Sequence, residues 1–192
     1  MLKSYDFWDL ADKAGYGEEI YGYGTKENNR LDSVINMNNW FDDYSGYIVY
    51  KYLNLLKSIK IDLIENSGRT FFIFPDERQK NATPSNRLAE SLKYFFKAKS
   101  VGIPLDEKRE AIGEDWKKAI KHLHSYQYDY VIIDEFHRDG TTFESMMKIL
   151  GELDISPKCF FPIINFNPQK TKEYEKQYEG LHVLSLYEFN IK

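Results

Sequence analysis

Short apolar runs alternate along the chain with stretches of helical spacing, a pattern that predicts strands and helices in turn. From Tyr47, YIVYKYLNLLKSI places Ile48, Tyr52, Leu55, Leu56 and Ile59 on one helical face. Lys60–Asn66 reads as a strand closed by Ser67–Gly68, and Thr70–Phe74 (TFFIF), bounded by Gly68 and Pro75, as a stronger one. After a polar loop, Thr83 is placed to cap a helix and Pro84 to open it, ahead of a face of Leu88, Leu92, Phe95 and Phe96. Val101–Trp116 is polar and charged, which predicts a mobile loop or hairpin. Trp116, Ala119, Ile120 and Leu123 form the next helical face. His122 and His124, two apart on it, point to different sides, make a poor metal pair and are expected at the surface.

The most informative stretch is Tyr130–Thr142, YVIIDEFHRDGTT. Tyr130–Ile133 is a β-branched run of the kind buried on both faces of a parallel sheet. It is followed by Asp134 and Glu135, by a Gly/Thr loop, and by a helix with Phe143, Met146, Met147 and Leu150 as its buried stripe. Cys159–Asn165 is a further strand, succeeded by a charged helix-like segment and a last strand, Leu181–Leu186. The expected fold is therefore α/β, a mainly parallel central sheet flanked by helices over residues 46–192. Residues 1–45 carry Gly15–Tyr16–Gly17 and Gly22–Tyr23–Gly24 without a strand, helix or lysine of a P-loop, and read as an N-terminal hood or cap.

Composition narrows the function. At 192 residues the chain is one unit with room for a real core. Its charge of −4 is spread without basic blocks, which argues against a nucleic-acid partner. The aromatic fraction of 16% reads as an aromatic-rich core rather than a platform for stacking bases. The single cysteine, Cys159, lies in an apolar run, so an internal disulfide and a cysteine zinc set are excluded. Asp6, Asp9 and Asp12 interrupt any apolar leader, and no run approaches a membrane span, so a cytoplasmic protein is expected.

Three readings of the central stretch compete. Asp134 and Glu135 merely end a strand and cap the next helix; or DEFH is the acidic motif of a helicase-type ATPase; or the stretch binds a phosphorylated sugar. The ATPase reading requires a G-x-x-x-x-G-K-[ST] loop, which the chain lacks. The sugar reading has physical content: carboxylates accept hydrogen bonds from hydroxyls, and a helix N-terminus holds a phosphate.

YVIIDEFHRDGTTFESMMKIL resembles the phosphoribosyl-pyrophosphate (PRPP) motif of type I phosphoribosyltransferases, most nearly the orotate enzymes. FFIFPDERQKNATPSNRLAESL is similar to their pyrophosphate strand–loop–helix, EKREAIGED to their mobile catalytic loop, and YEGLHVLSLYEF to their last strand. The resemblance implies that Asp134 and Glu135 hold the ribose hydroxyls, partly through a magnesium-bound water, and that Arg138, Asp139, Gly140, Thr141 and Thr142 cradle the 5′-phosphate. It implies further that Arg78 and Lys80 meet the pyrophosphate, that Lys108 and Arg109 close over it, that Mg²⁺ accompanies the ligand, and that the protein is a homodimer. The chain departs from the pattern at Arg138–Asp139, where the family has hydroxyl residues or an acid followed by Thr. It departs again at Asn81, which replaces a glycine, and at Ile112, which replaces a lysine. An active phosphoribosyltransferase for an unidentified base, and an inactive sensor or interaction module of the same fold, are the two functions these features leave open.

Overall fold

The structure is a computed structural model that describes residues 46–55, 69–76, 84–124 and 128–188. In chain order its elements are a helix over 46–55 (α1), then β1 (Thr70–Asp76), α2 (Pro84–Phe96), β2 (Lys99–Pro104), α3 (Asp115–His124), β3 (Asp129–His137), α4 (Thr141–Gly151), β4 (Cys159–Asn165), α5 (Pro168–Gln177), β5 (His182–Val183) and β6 (Tyr187–Glu188). The strands form one sheet of order β2-β1-β3-β4-β5, with β6 also on β4, and every strand pairing is parallel. Among the described residues no helix is long and apolar enough to cross a membrane.

Parallel strands need crossovers, and the crossovers here cover both faces of the sheet. On one face α1 (Ile48, Val49, Tyr52) and α2 (Leu88, Ala89, Leu92, Phe96) pack on Phe72, Phe74, Val131, Ile133 and Phe161. On the other, α3 (Trp116, Ile120), α4 (Phe143, Met146, Ile149, Leu150) and Tyr174 of α5 pack on Phe71, Ile73, Ile132 and Phe160. This double coverage explains why β4 is buried at all seven positions and reads as a continuous apolar run. The chain winds outward from β1 to β2 with α2 on one face, then returns past β1 to β3 with α3 on the other. The winding reverses between β1 and β3.

Three sequence expectations are corrected. Val101–Trp116, expected as a loop or hairpin, forms a hairpin turn over 104–112, with Leu105 bridging Ala111 antiparallel, but Lys99–Pro104 is the edge strand β2, and its pattern was hidden because Gly102 and Pro104 interrupt a half-exposed strand. The last strand is split. Its offset from β4 is constant, Cys159↔His182 and Ile164↔Tyr187, but Pro162 lies opposite the gap and has no N–H to donate. Phe95 and Ala119 face water rather than the core; Phe95 is 57% exposed. The expected burial of Met147 is only partial, while His122 is exposed as expected. The expected strand over Lys60–Asn66, the Thr83 cap, Leu56, Ile59 and the 1–45 hood lie outside the described residues.

Phe161 is fully buried at the centre of the first core, and truncating it leaves a cavity that rigid strands on both sides cannot fill. Phe161→Ala is expected to cost roughly 3–5 kcal/mol, read as a lower urea midpoint at unchanged slope.

Candidate functional site

The reversal of winding opens a crevice. β1 and β3 pair from Thr70↔Asp129 to Ile73↔Ile132 and then part, while Phe74–Asp76 continue alongside β2. In open α/β sheets the ligand crevice lies at this switch point, outside the carboxyl ends of the strands. β3 runs on to His137 with β4 on its other side, so Asp134 and Glu135 lie within the strand rather than beyond it. Both occupy the part of β3 from which β1 has already parted. Asp134 is 7% exposed, and its Oδ1 accepts the Glu135 N–H at 2.8 Å.

The alternation of faces slips at the acidic pair. Ile133 and Phe136, three residues apart, belong to the same core, and so do the adjacent Ile163 and Ile164 of β4. His137 accordingly lands on the opposite face, edge-on to Phe160 and Tyr174 at 5.6 Å each. Strict alternation would have put His137 on the face of Val131 and Ile133.

The loop after β3 is held from α5. Gly140 adopts φ 88°, and a Cβ there would collide with the Tyr174 hydroxyl and lie 2.8 Å from Lys170 Nζ. Lys170 Nζ donates to the Asp139 carbonyl and pairs with Glu144 at 2.9 Å, while the Tyr174 hydroxyl donates to Glu144 at 2.8 Å. These bonds to Lys170 and Tyr174 hold the Glu144 carboxyl below its usual range. Asp139 turns its carboxylate onto the helix: Oδ1 accepts the Thr141 N–H at 2.9 Å. Burial raises the Asp139 carboxyl, but the Thr141 hydrogen bonds and Lys170 outweigh it and leave it lowered. The N-terminus of α4 thus already carries an anion of its own.

The other expected site residues divide. Arg138, Asp139 and Thr141 are exposed, Thr142 is half-buried and Gly140 is buried, all at the α4 start beside the acidic pair. Lys108 and Arg109 lie beyond β2, two strands from β3 and roughly 10 Å across the sheet. They sit in a turn built on Asp106, whose Oδ1 accepts the N–H groups of Lys108 and Glu110. Arg78 and Lys80 lie outside the described residues. Among the described residues no group of three His, Cys, Asp or Glu is placed to hold a metal by itself.

Sequence reasoning missed Lys170, Tyr174, Glu144 and His137. That a charged helix-like segment follows β4 was legible, and Asn167 caps it by accepting the Lys170 N–H, with Pro168 next. That its first turn reaches a loop thirty residues earlier was not.

These features define an open, doubly wound α/β protein with its candidate site at the switch point. No family model matches the chain, and no curated protein matches it. Among solved structures it is similar to the adenine phosphoribosyltransferase of Thermoanaerobacter pseudethanolicus, with 15% sequence identity, coverage of 81% of this chain and 84% of that one, and a TM-score of 0.48.

His137 is 2% exposed, and its Nε2 has no hydrogen-bond partner among the described residues. Burial first, then Lys170, push it down to about 4, against smaller opposing effects of Asp139 and Glu144. The folded protein therefore keeps His137 neutral where the unfolded chain protonates it, so its contribution to stability is intact above pH 6.5 and lost as pH falls towards 4. His137→Phe, which keeps an aromatic ring in place, is expected to flatten that loss by up to about 3 kcal/mol, measured by urea unfolding between pH 7 and 4.

Proposed function

We propose that the chain binds a phosphorylated ribose, PRPP or a nucleotide, in the crevice between β1 and β3. The observation that carries this reading is the placement of Asp134 and Glu135 where β1 leaves β3, beside the N-terminus of α4. Their carboxylates take the ribose hydroxyls, and the N–H groups of residues 138–142, with the Thr141 and Thr142 hydroxyls, take the 5′-phosphate. Two carboxylates suit Mg²⁺, which keeps several waters and is shared with substrate phosphates. When bound, the metal neutralises the pyrophosphate. Lys108 and Arg109, with Arg78 and Lys80, meet that pyrophosphate, and transfer to a base completes the reaction.

A second reading, binding without turnover, is favoured by one observation. The Asp139 carboxylate occupies the N–H that a phosphate would take, so a ligand must displace it.

PRPP with Mg²⁺ is expected to raise the melting temperature by several degrees at ~100 times its Kd. Asp134→Asn with Glu135→Gln should abolish the rise; a shift that survives the double substitution moves the ligand elsewhere. Absence of any shift with PRPP and with nucleoside monophosphates would remove both readings. Pyrophosphate release across purine, pyrimidine and nicotinamide acceptors then separates the enzyme from the binding module.

Asp139→Ser keeps a capping oxygen and removes the competing charge. It should tighten ribose 5-phosphate about ten-fold by calorimetry, less than full Coulombic repulsion at 5 Å would give, because Asp139 is exposed and screened.

A further inference from the structure

Tyr52 is a buried polar group for which the fold alone provides no use. It projects from α1 into the first core, fully buried, with its ring stacked on Phe161 at 5.1 Å and 19° between planes. Its hydroxyl has no hydrogen-bond partner among the described residues. Phenylalanine would fill the same volume without burying an unsatisfied hydroxyl, a feature that native cores largely avoid.

The position of the ring says where the hydroxyl acts. Phe161 is the register partner of Ile133, and the next pair is Asp134↔Pro162. Tyr52 therefore lies against the sheet one register pair before Asp134, where the acidic pair begins. Tyr187 packs against the same core from the β6 edge. Burial, followed by Tyr187 and then Asp134, holds the phenol well above its usual range. At neutral pH the phenol keeps its proton and can donate it.

Resting on the ribose reading above, we infer that Tyr52 is a positioning residue of the site, donating its hydroxyl to the Asp134 carboxylate when Asp134 engages the ligand. Asp134 Oδ1 already accepts the Glu135 N–H, and a carboxylate has further lone pairs for a ligand hydroxyl and for Tyr52. Such a donor keeps the carboxylate ionised and oriented, so that it accepts from the ligand. The hydroxyl left unsatisfied without ligand is satisfied with it, which couples binding to the α1 face of the core.

Tyr52→Phe separates this role from a structural one. The variant without ligand is expected to melt at the same temperature as the wild type or higher, while its apparent Kd for PRPP with Mg²⁺ rises about ten-fold. A lower melting temperature without ligand would show that the hydroxyl is already bonded in the resting fold, and would overturn the inference. An unchanged Kd would overturn it too while leaving the ribose reading intact. If the wild type itself shows no PRPP shift, the ribose reading fails and the inference with it. In an Asp134→Asn background, loss of the Tyr52 hydroxyl should have little further effect on binding; additive losses would mean that Tyr52 does not act through Asp134.

Discussion

The parting of β1 from β3 beyond Ile73↔Ile132 is the constraint on which the rest of the molecule depends. The crossovers place α2 on one face of the sheet and α3 on the other, because the chain leaves β1 outward in one direction and returns past it in the other. The carboxyl ends of the two strands are then drawn apart, each committed to a different neighbour. Backbone groups of β3 beyond this point have β4 on one side and the opening on the other. That asymmetry makes the place hospitable to carboxylates, which a closed parallel sheet would bury at great cost.

Charge at the end of β3 is balanced locally. Asp139 meets the positive end of the α4 dipole, and Glu144 and Lys170 form a pair that the Tyr174 hydroxyl completes. Gly140 lets this happen, since its missing Cβ leaves room for the Tyr174 and Lys170 side chains to come against the loop. The same arrangement makes the resting loop self-sufficient. On the ribose reading, a phosphate here has to compete with an internal carboxylate, so affinity depends on that one side chain of the loop.

Three buried polar or nucleophilic groups differ in what their surroundings do to them. Cys159 lies in an apolar interior that pushes its thiol up to about 12, so it behaves as a small hydrophobe. His137 is kept neutral in an aromatic cage beside Lys170. Tyr52 combines full burial, a hydroxyl without a hydrogen-bond partner among the described residues, and stacking on Phe161, the register partner of Ile133.

The amino-acid sequence by itself determined the α/β class, the two-sided burial of Tyr130–Ile133, the strand over Cys159–Asn165, the start of α2 at Pro84, and the acidic pair as the chemically distinctive position. These are carried by local periodicity and by proline and capping residues, which act within a few neighbours. Only the tertiary structure decided that Lys99–Pro104 is a strand, since an interrupted edge segment gains its identity from pairing with β1. It also decided that the last strand breaks opposite Pro162, because a missing donor is felt on the neighbouring strand and not where the proline is read. The meeting of Lys170 with Gly140, and of Tyr52 with the Asp134 end of β3, were equally out of reach. Such contacts depend on which helix covers which face, and that is fixed by strand order rather than by any residue's immediate neighbours.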